Sequence, residues 1–460
     1  MSNNSNNNVD LRSYLALLEK EGELVHVKRQ VSPEYELAAV VSKLDSREAV
    51  VFDKVKGSKK AVASNICGTA KRFYLAIAGK GAPEGRNAVK KAIHARIMQA
   101  LAGMAPPGKA TKADFEQNSS RNLMDLPVVT HFEKDAGPFI TSSIVFANDQ
   151  ERGNQNSSTH RLLRLDDRHM AIRMVEGRHL HKCYSYAKDH GEDLKVAIVI
   201  GVHPAVNIAA AYQAAYGVDE MLIANSLLEG RLALARTKYA QVPSHAEIVL
   251  EGRILRDRMQ EEWMVEMLRT YDFKRKQPVF ELEKISYRDR AIYHDILPGY
   301  AEHRLLMGLP VEAKMYDYVK SVVPTTQLVH LTDGGSNWLA AVVQIKKRLE
   351  GEPKNALLAA FAAHPSLKMA TIVDEDIDPT DPVAVEYAVT SRCQADKSLL
   401  IIPNAKGSSL DPSSDQTNLL TTKVGIDATA TLLKAKERFE IAKIPGEEKI
   451  KAGDYFRTRD

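Results

Sequence analysis

Cysteine is scarce in this chain. Cys67, Cys183 and Cys393 are the only three in 460 residues. Their odd number and wide spacing exclude a disulfide framework and a zinc knuckle, and they point to a reducing compartment, with the cytoplasm as the expected location. Long apolar runs are missing too. The nearest, KVAIVIGVHPAVNIAAAY at 195–212, starts on a charge and is broken by Gly201, His203 and Pro204, so it reads as strand, turn and helix and no membrane span is expected. The opening MSNNSNNNVD has no apolar signal core and reads as a disordered tail. Charge of one sign is not in excess: 63 Lys and Arg stand against 59 Asp and Glu, a net +4. That balance gives no concentrated basic face, and no nucleic-acid partner is expected. GxGxxG, GxxxxGK[ST] and GxSxG are all absent, which excludes the standard dinucleotide, P-loop and hydrolase-elbow signatures.

What is present is enough apolar material, 44% of residues, for two or three domains. Asp10 precedes Leu11, Tyr14, Leu15, Leu17 and Leu18, the pattern of a capped amphipathic helix ended by Gly22. Strands are expected at 24–27, 50–52 and 61–64, a helix from Ser32-Pro33 to Val41, and another within 89–104. These make residues 10–123 a mixed α/β domain whose last part, 105–123, is polar and linker-like. Residues 124–310 are β-rich: PVVTHF, FITSSIVFA, HRLLRLDD, MAIRMV, AEIVLEGRI and PVFELEKIS are strand candidates, with helices at 204–216 and 218–228. A linker at 311–324 leads to an α/β domain at 325–440, where NWLAAVVQIKKRLE reads either as strand plus helix or as one helix. A charged tail at 441–460 is placed to pack across a partner subunit. The fold class is α/β (α+β).

The chemistry-bearing residues are Asn156, Ser158, Thr159, His160 and Arg161, then Arg178 and His179, then Glu261 and Glu266. Amide, imidazole, guanidinium and carboxylate groups are the parts of a phosphate, metal or proton-transfer site. Spacing alone does not assemble them. Glu261 and Glu266 are about 500° apart on a helix and on opposite faces of a strand, so an exposed helix DRMQEEWMVEML is the plain alternative. GRHLHK reads equally as a basic surface. His179, His181 and Cys183 match no standard zinc spacing. Gly425, in KVGIDAT, permits a tight backbone path beside Lys423 and Asp427.

Taken together, DLRSYLALLEKEGELVHV (10–27), GPFIT (137–141), NSSTHR (156–161), GVHPA (201–205), VPSHAEIVLEG (242–252), VDEDIDP (373–379), SSLDPS (408–413) and KVGIDAT (423–429) resemble the UbiD family of prenylated-flavin-dependent reversible decarboxylases over residues 10–440. The resemblance implies an amino-terminal α/β part, a flavin-binding domain like the split β-barrel of flavin reductases, and a carboxy-terminal α/β dimerisation domain. It implies Arg161, Glu261 and Glu266 as the catalytic set, with Glu266 the general acid and Arg161 paired to Glu261. It implies prenylated FMN as a covalent electron sink, supplied by a flavin prenyltransferase and bound among Asn156, Ser158, Thr159, His160, Arg161, Arg178, His179, Arg236 and Lys423. Asn156 and His179 match the family's ligands to manganese or a similar divalent ion, with potassium nearby. The usual third ligand is a glutamate, and Arg236 appears at that place, so an altered metal site is expected. Trp263 and Met264, between the glutamates, either narrow the pocket or pack. His294, His303 and Arg304 resemble a second-carboxylate site, which favours furan-2,5-dicarboxylate over cinnamic acids; salt bridging with Asp289 or Glu302 is the competing reading, and an aromatic hydroxy acid and an aliphatic enoate phosphate stay open as substrates. The implied reaction releases carbon dioxide from an unsaturated or heteroaromatic acid in a homodimer or larger homo-oligomer. An FMN-dependent oxidoreductase and a subunit of a multisubunit carboxylase are the alternatives.

Overall fold

The computed structural model describes residues 8–442, 444–450 and 455. Residues 1–7 of the expected tail and half of 441–460 lie outside them. Helix Leu11–Lys20 forms where the periodicity predicts it. Leu11, Tyr14, Leu15 and Leu18 are buried on one face, and Asp10 caps the start by accepting the Ser13 N–H at 2.8 Å. The second helix is Glu36–Lys43 and begins later than its Ser-Pro signal suggested. The Pro33 carbonyl accepts the Thr130 N–H at 3.0 Å and the Tyr35 N–H donates to the Thr130 carbonyl at 2.9 Å. Backbone groups that an earlier turn would use are committed to a neighbouring segment.

Strands Leu24–Val27, Ala49–Phe52 and Ala61–Ser64 form a sheet whose fourth strand, Ile292–Asp295, comes from far along the chain. The amino-terminal unit is thus completed by residues from within 124–310. The segment 105–123 is more than a linker. Phe115 is buried, and Asn118–Ser120 pairs with Arg275–Tyr287. PVVTHF makes two isolated bridges, Glu34–Thr130 and Val129–Phe139, instead of a strand.

Six strands close into a barrel. Their order is Ile248–Glu262, Leu194–Ile200, Phe139–Asp149, Asn154–Arg164, His169–Ile172 and Arg275–Tyr287, the last pairing back onto the first. Alternation gives the barrel wall two apolar faces. Leu162, Ile198, Ile248, Leu250 and Phe280 enter one core, while Ile144, Phe146, Ala197 and Val249 carry helices Pro204–Ala211 and Glu220–Leu227 on the other.

Helix Ala301–Val322 runs through most of the expected 311–324 linker. Val311, Met315 and Val319 are buried, so this stretch packs instead of connecting. Beyond it lies a five-stranded sheet in the order Thr326–Leu331, Ala340–Ile345, Met369–Val373, Leu420–Asp427, Leu399–Lys406, parallel inside and antiparallel at both edges. NWLAAVVQIKKRLE supplies the strand Ala340–Ile345. A Cβ at Gly425 would stand 2.8 Å from Leu357 Cδ1, so glycine there lets helix Glu352–Ala363 sit down on the sheet. No described helix is long and apolar enough to cross a membrane.

Candidate active site

Arg161 is the centre of the first group. It projects from Asn154–Arg164 with its side chain 9% exposed. Nε donates to Glu262 Oε2 at 3.0 Å and Nη2 to Glu262 Oε1 at 2.9 Å, a bidentate grip. Nη1 donates to Glu266, and Nη2 also reaches Asp272 Oδ2 at 3.0 Å. Burial works against this charge, but the fields of Glu266 and Glu262 more than offset it and raise the guanidinium pKa. Asp272 is pushed up by burial, yet the Arg275 hydrogen bond and the Arg161 charge bring it below the usual carboxylate range.

The glutamate in the grip is Glu262, not Glu261. Glu261 lies opposite Lys276 on an open stretch of strand and is exposed, while Glu262, one residue on, points the other way and is fully buried. The expected Arg161–Glu261 pair is therefore corrected to Arg161–Glu262. Neither a helix nor a regular strand brings Glu262 and Glu266 together. The chain leaves the barrel at Glu262 and turns. The Trp263 indole N–H donates to the Lys134 carbonyl at 2.7 Å, the Val265 N–H donates to Asp135 Oδ1 at 3.1 Å, and Met264 packs with Phe139, Leu163 and Ala171. Met264 is thus a packing residue. Burial raises the Asp135 pKa.

His303 is the one member of the proposed second-carboxylate trio near this group. Burial lowers its pKa, and the charges of Glu266 and Arg161 act on it. Its Nδ1 accepts the Gly299 N–H at 3.1 Å, which leaves the proton on Nε2. Gly299 has φ +75°, and a Cβ there would stand 2.8 Å from the Glu266 carbonyl. Only glycine lets this turn press against the Glu266 loop. The other two are corrected. His294 is 1% exposed and contacts Glu302 Oε1 at 3.2 Å, and Arg304 faces Asp45 at 3.6 Å. Both contacts lie between the amino-terminal unit and helix Ala301–Val322.

A second group lies along the same barrel strand. Asn156 Nδ2 is 3.1 Å from Glu220 Oε1, His179 Nδ1 is 3.6 Å from the same oxygen, and Asn156 and His179 are 3.5 Å apart. The Ser157 N–H donates to Glu220 Oε2 at 2.9 Å. Glu220 opens helix Glu220–Leu227, which Asp219 caps, and it is 2% exposed. It stands where Arg236 was expected to replace a glutamate. Arg236 is exposed on Ala233–Arg236, opposite Gln241. An amide, an imidazole and a carboxylate fit a divalent cation of the manganese type. Among the described residues no three His, Cys, Asp or Glu side chains cluster as a metal site, and the trio here depends on an asparagine.

Between the two groups, the Ser158 hydroxyl is 3.2 Å from Asn156 Oδ1 and 2.8 Å from His160 Nε2, and His160 Nδ1 meets the Arg173 carbonyl at 2.8 Å. Burial pushes His160 down to about 4, so it is a neutral donor through Nδ1. Thr159 is half-buried on this strand, and Arg178 is exposed just before helix His179–Asp189. Sequence reasoning missed Arg173. Its N–H donates to the Arg161 carbonyl at 3.1 Å, which sets it beside Arg161 across two strands. Its side chain donates to the Met174 carbonyl and, within the described residues, has no carboxylate within 4.0 Å. Lys423 is elsewhere. It lies in the carboxy-terminal sheet with its amine donating to the carbonyls of Pro365 at 2.7 Å and Leu367 at 2.5 Å, and burial lowers it to about 8. Those carbonyls take two of its three N–H donors, and it is not among the residues that gather at Arg161 or at Asn156.

Comparison with known proteins identifies the arrangement. Three models of the 3-octaprenyl-4-hydroxybenzoate carboxy-lyase match: its N-terminal domain at 15–93, its Rift-related domain at 106–301 and its C-terminal domain at 304–428. The anhydromevalonate phosphate decarboxylase of Methanothermobacter thermautotrophicus is 42% identical over 429 residues, 92% of this chain and 98% of that one. The UbiD-class enzyme HmfF from Pelotomaculum thermopropionicum, solved in complex with FMN, superposes with a TM-score of 0.92 at 37% identity, covering 97% of this chain and all of that one. An evolved dimeric form of HmfF in complex with prenylated FMN gives 0.88 at 35% identity over the same 97% of this chain and all of that one. With its barrel, its carboxy-terminal sheet and an arginine gripped by glutamates, this chain belongs to the UbiD family of carboxy-lyases.

Proposed function

We propose that this protein carries out the reversible, non-oxidative decarboxylation of an α,β-unsaturated carboxylic acid on prenylated FMN, with Arg161, Glu262 and Glu266 as its catalytic residues. The observation that carries the reading is the single guanidinium held by one fully buried glutamate and one glutamate 23% exposed at the side chain. Prenylated flavin, when bound, supplies the electron sink for the pair released from the C–CO2 bond. The protein supplies the rest. Each turnover exchanges CO2 for one proton, so a proton donor must stand at the reacting carbon and be refilled. Glu266 meets both needs, because it lies against Arg161 and keeps a partly open side. Glu262 fixes the guanidinium from behind, which leaves Arg161 rigid. The donors Asn156, His179 and Glu220 fit a manganese-type ion beside the flavin phosphate, with potassium as a second ion. Arg173 and Arg178, neither held by a carboxylate among the described residues, fit the cofactor's anionic parts. A flavin prenyltransferase is the expected supplier of the cofactor. A homo-oligomer is expected, since edge strand Leu399–Lys406 exposes Leu399 and Ile401.

The substrate class follows the named relative and not the dicarboxylate reading. Two of the three residues that argued for a second carboxylate, His294 and Arg304, are occupied by Glu302 and Asp45. A phosphorylated aliphatic enoic acid of the anhydromevalonate phosphate kind is the proposed substrate. The test is decarboxylation, and deuterium exchange at the product carbon, by protein co-produced with a flavin prenyltransferase and checked for bound cofactor by mass spectrometry. Turnover of anhydromevalonate phosphate, lost in Glu266→Gln with cofactor retained, is the expected result. Turnover of furan-2,5-dicarboxylate alone would overturn the substrate class. Ordinary FMN with nicotinamide oxidation would overturn the reaction.

A further inference from the structure

Away from the barrel, three elements meet at a wholly buried polar cluster. Helix Arg86–Ala102 brings Lys90 and His94, helix Ala301–Val322 brings Glu312, and strand Thr326–Leu331 brings His330. Each of the four is 3% exposed or less. Lys90 Nζ donates to Glu312 Oε1 at 2.6 Å and to His330 Nδ1 at 2.7 Å, the Leu331 N–H donates to Glu312 Oε1 at 2.8 Å, and His94 Nε2 lies 3.3 Å from Glu312 Oε2. One turn before Lys90, Arg86 pairs with Asp333 at 2.5 Å, so residues 86, 90 and 94 form one stripe along the helix face. This stripe fastens the amino-terminal unit to the carboxy-terminal sheet.

The proton count in the cluster is set by its geometry. With Lys90 as an ammonium, its N–H takes the lone pair on His330 Nδ1 at 2.7 Å, the tautomer with the ring proton on Nε2, while Glu312 Oε1 lies 3.3 Å from the same nitrogen. His94 gives its Nε2–H to Glu312, and its Nδ1 is buried with no partner. The cluster therefore holds one cation and one anion about a neutral His330 ring. A proton added to His330 Nδ1 would trade the 2.7 Å Lys90 contact for the longer 3.3 Å one to Glu312 Oε1 and set a second buried cation beside the ammonium. We propose that Lys90, His94, Glu312 and His330 form an acid-sensitive latch whose release loosens the carboxy-terminal unit from helix Arg86–Ala102. The groups facing His330 are Lys90, His94 and Arg86 on one helix, Glu312 on the other, and Asp333 and Asp378 from the carboxy-terminal unit. Burial, and then the Lys90 charge, depress its pKa in the closed seam. The opened seam binds the extra proton better, so the closed form loses stability as pH falls below about 6.5.

The latch bears on the site through Met267. This residue follows Glu266 and is buried in the carboxy-terminal core with Val311, Met315 and Trp338. Loosening that core loosens the Glu266 loop. The test is hydrogen–deuterium exchange on the full-length protein at pH 7.5 and 5.5, corrected for intrinsic rates. At pH 5.5, helix Arg86–Ala102, strand Thr326–Leu331 and the Glu266–Met267 segment are expected to exchange at least tenfold faster than at pH 7.5, while barrel strand Leu194–Ile200 is unchanged. His94→Gln/His330→Gln keeps the donors and acceptors without the titration and should lose the response. Equal exchange at both pH values in the native protein, or an acid response that survives in the histidine pair variant, would overturn the latch.

Discussion

Two adjacent glutamates give opposite expectations. Glu262 is fully buried with both oxygens on Arg161, and Glu261 is exposed opposite Lys276. In Glu262→Gln the side chain keeps its shape and one acceptor but loses its charge, so one of the two bonds to Arg161 is lost and the other weakens. Hydrogen bonds to charged groups are worth about 1.5–3 kcal/mol each. Glu266 and Asp272 still hold the guanidinium, so misplacement is partial. A loss near 2–3 kcal/mol in the transition state corresponds to about a 30- to 150-fold fall in kcat. Glu261→Gln removes one member of a solvated pair, whose worth is small, and kcat should stay within about twofold. The assay is single-substrate decarboxylation by both variants, loaded with the same fraction of cofactor by mass spectrometry. Flavin content reads whether either change acts through binding. A dead Glu261→Gln beside an active Glu262→Gln would refute the placement of the strand end and return the catalytic role to Glu261.

Three further outcomes are expected. Glu220→Ala removes the carboxylate that meets Asn156, His179 and the Ser157 N–H. Bound divalent metal should fall to background by elemental analysis, with flavin retention falling alongside; full metal content would sink the proposed donor set. Arg304→Ala breaks an internal pair with Asp45 and should lower melting temperature with KM unchanged, whereas His303→Ala, beside Glu266, should lower kcat; a KM effect from Arg304 alone would restore the second-carboxylate reading. Lys423→Met removes donors to the Pro365 and Leu367 carbonyls at a cost of about 1–3 kcal/mol. It should reduce stability in thermal unfolding with cofactor content unchanged, and flavin loss without destabilisation would contradict its placement.

Local structure was legible wherever one face of an element meets one core. The Leu11–Lys20 periodicity and the alternating barrel strands follow from that rule, because each side chain's direction is set within a few residues. Boundaries failed where a distant segment claimed the backbone. Pro33 and Tyr35 bond to Thr130, so their helix starts late, and Ile292–Asp295 leaves its sequence neighbours to complete a sheet begun at Leu24. No local pattern encodes either partner.

The site failed in a narrower way. A side-chain period of two makes Glu261 and Glu262 opposites, so an error of one residue moves a carboxylate from the fully buried side of the strand to its exposed side. Two features held the answer in the sequence. Reading the strand AEIVLEGRI onward past Ile254 in alternation was one, but register shifts at Glu251/Gly252 and Ile254/Met259 erase the count before it reaches the glutamates. The other was the segment D-E-M at 219–221, where an N-capping aspartate announces a helix start. A glutamate in the first turn of a helix stands where its carboxylate is favoured by the helix dipole, and it can meet Asn156 and His179 from across the barrel wall. The family pattern points to the place of Arg236 for a third donor, and the structure sets Glu220 beside Asn156 and His179 instead. What decides which carboxylate meets Asn156 and His179 is which helix packs on the outer face of Asn154–Arg164, and that is settled by Ile144, Ala197 and Val249 in the shared core, residues that carry no chemistry themselves.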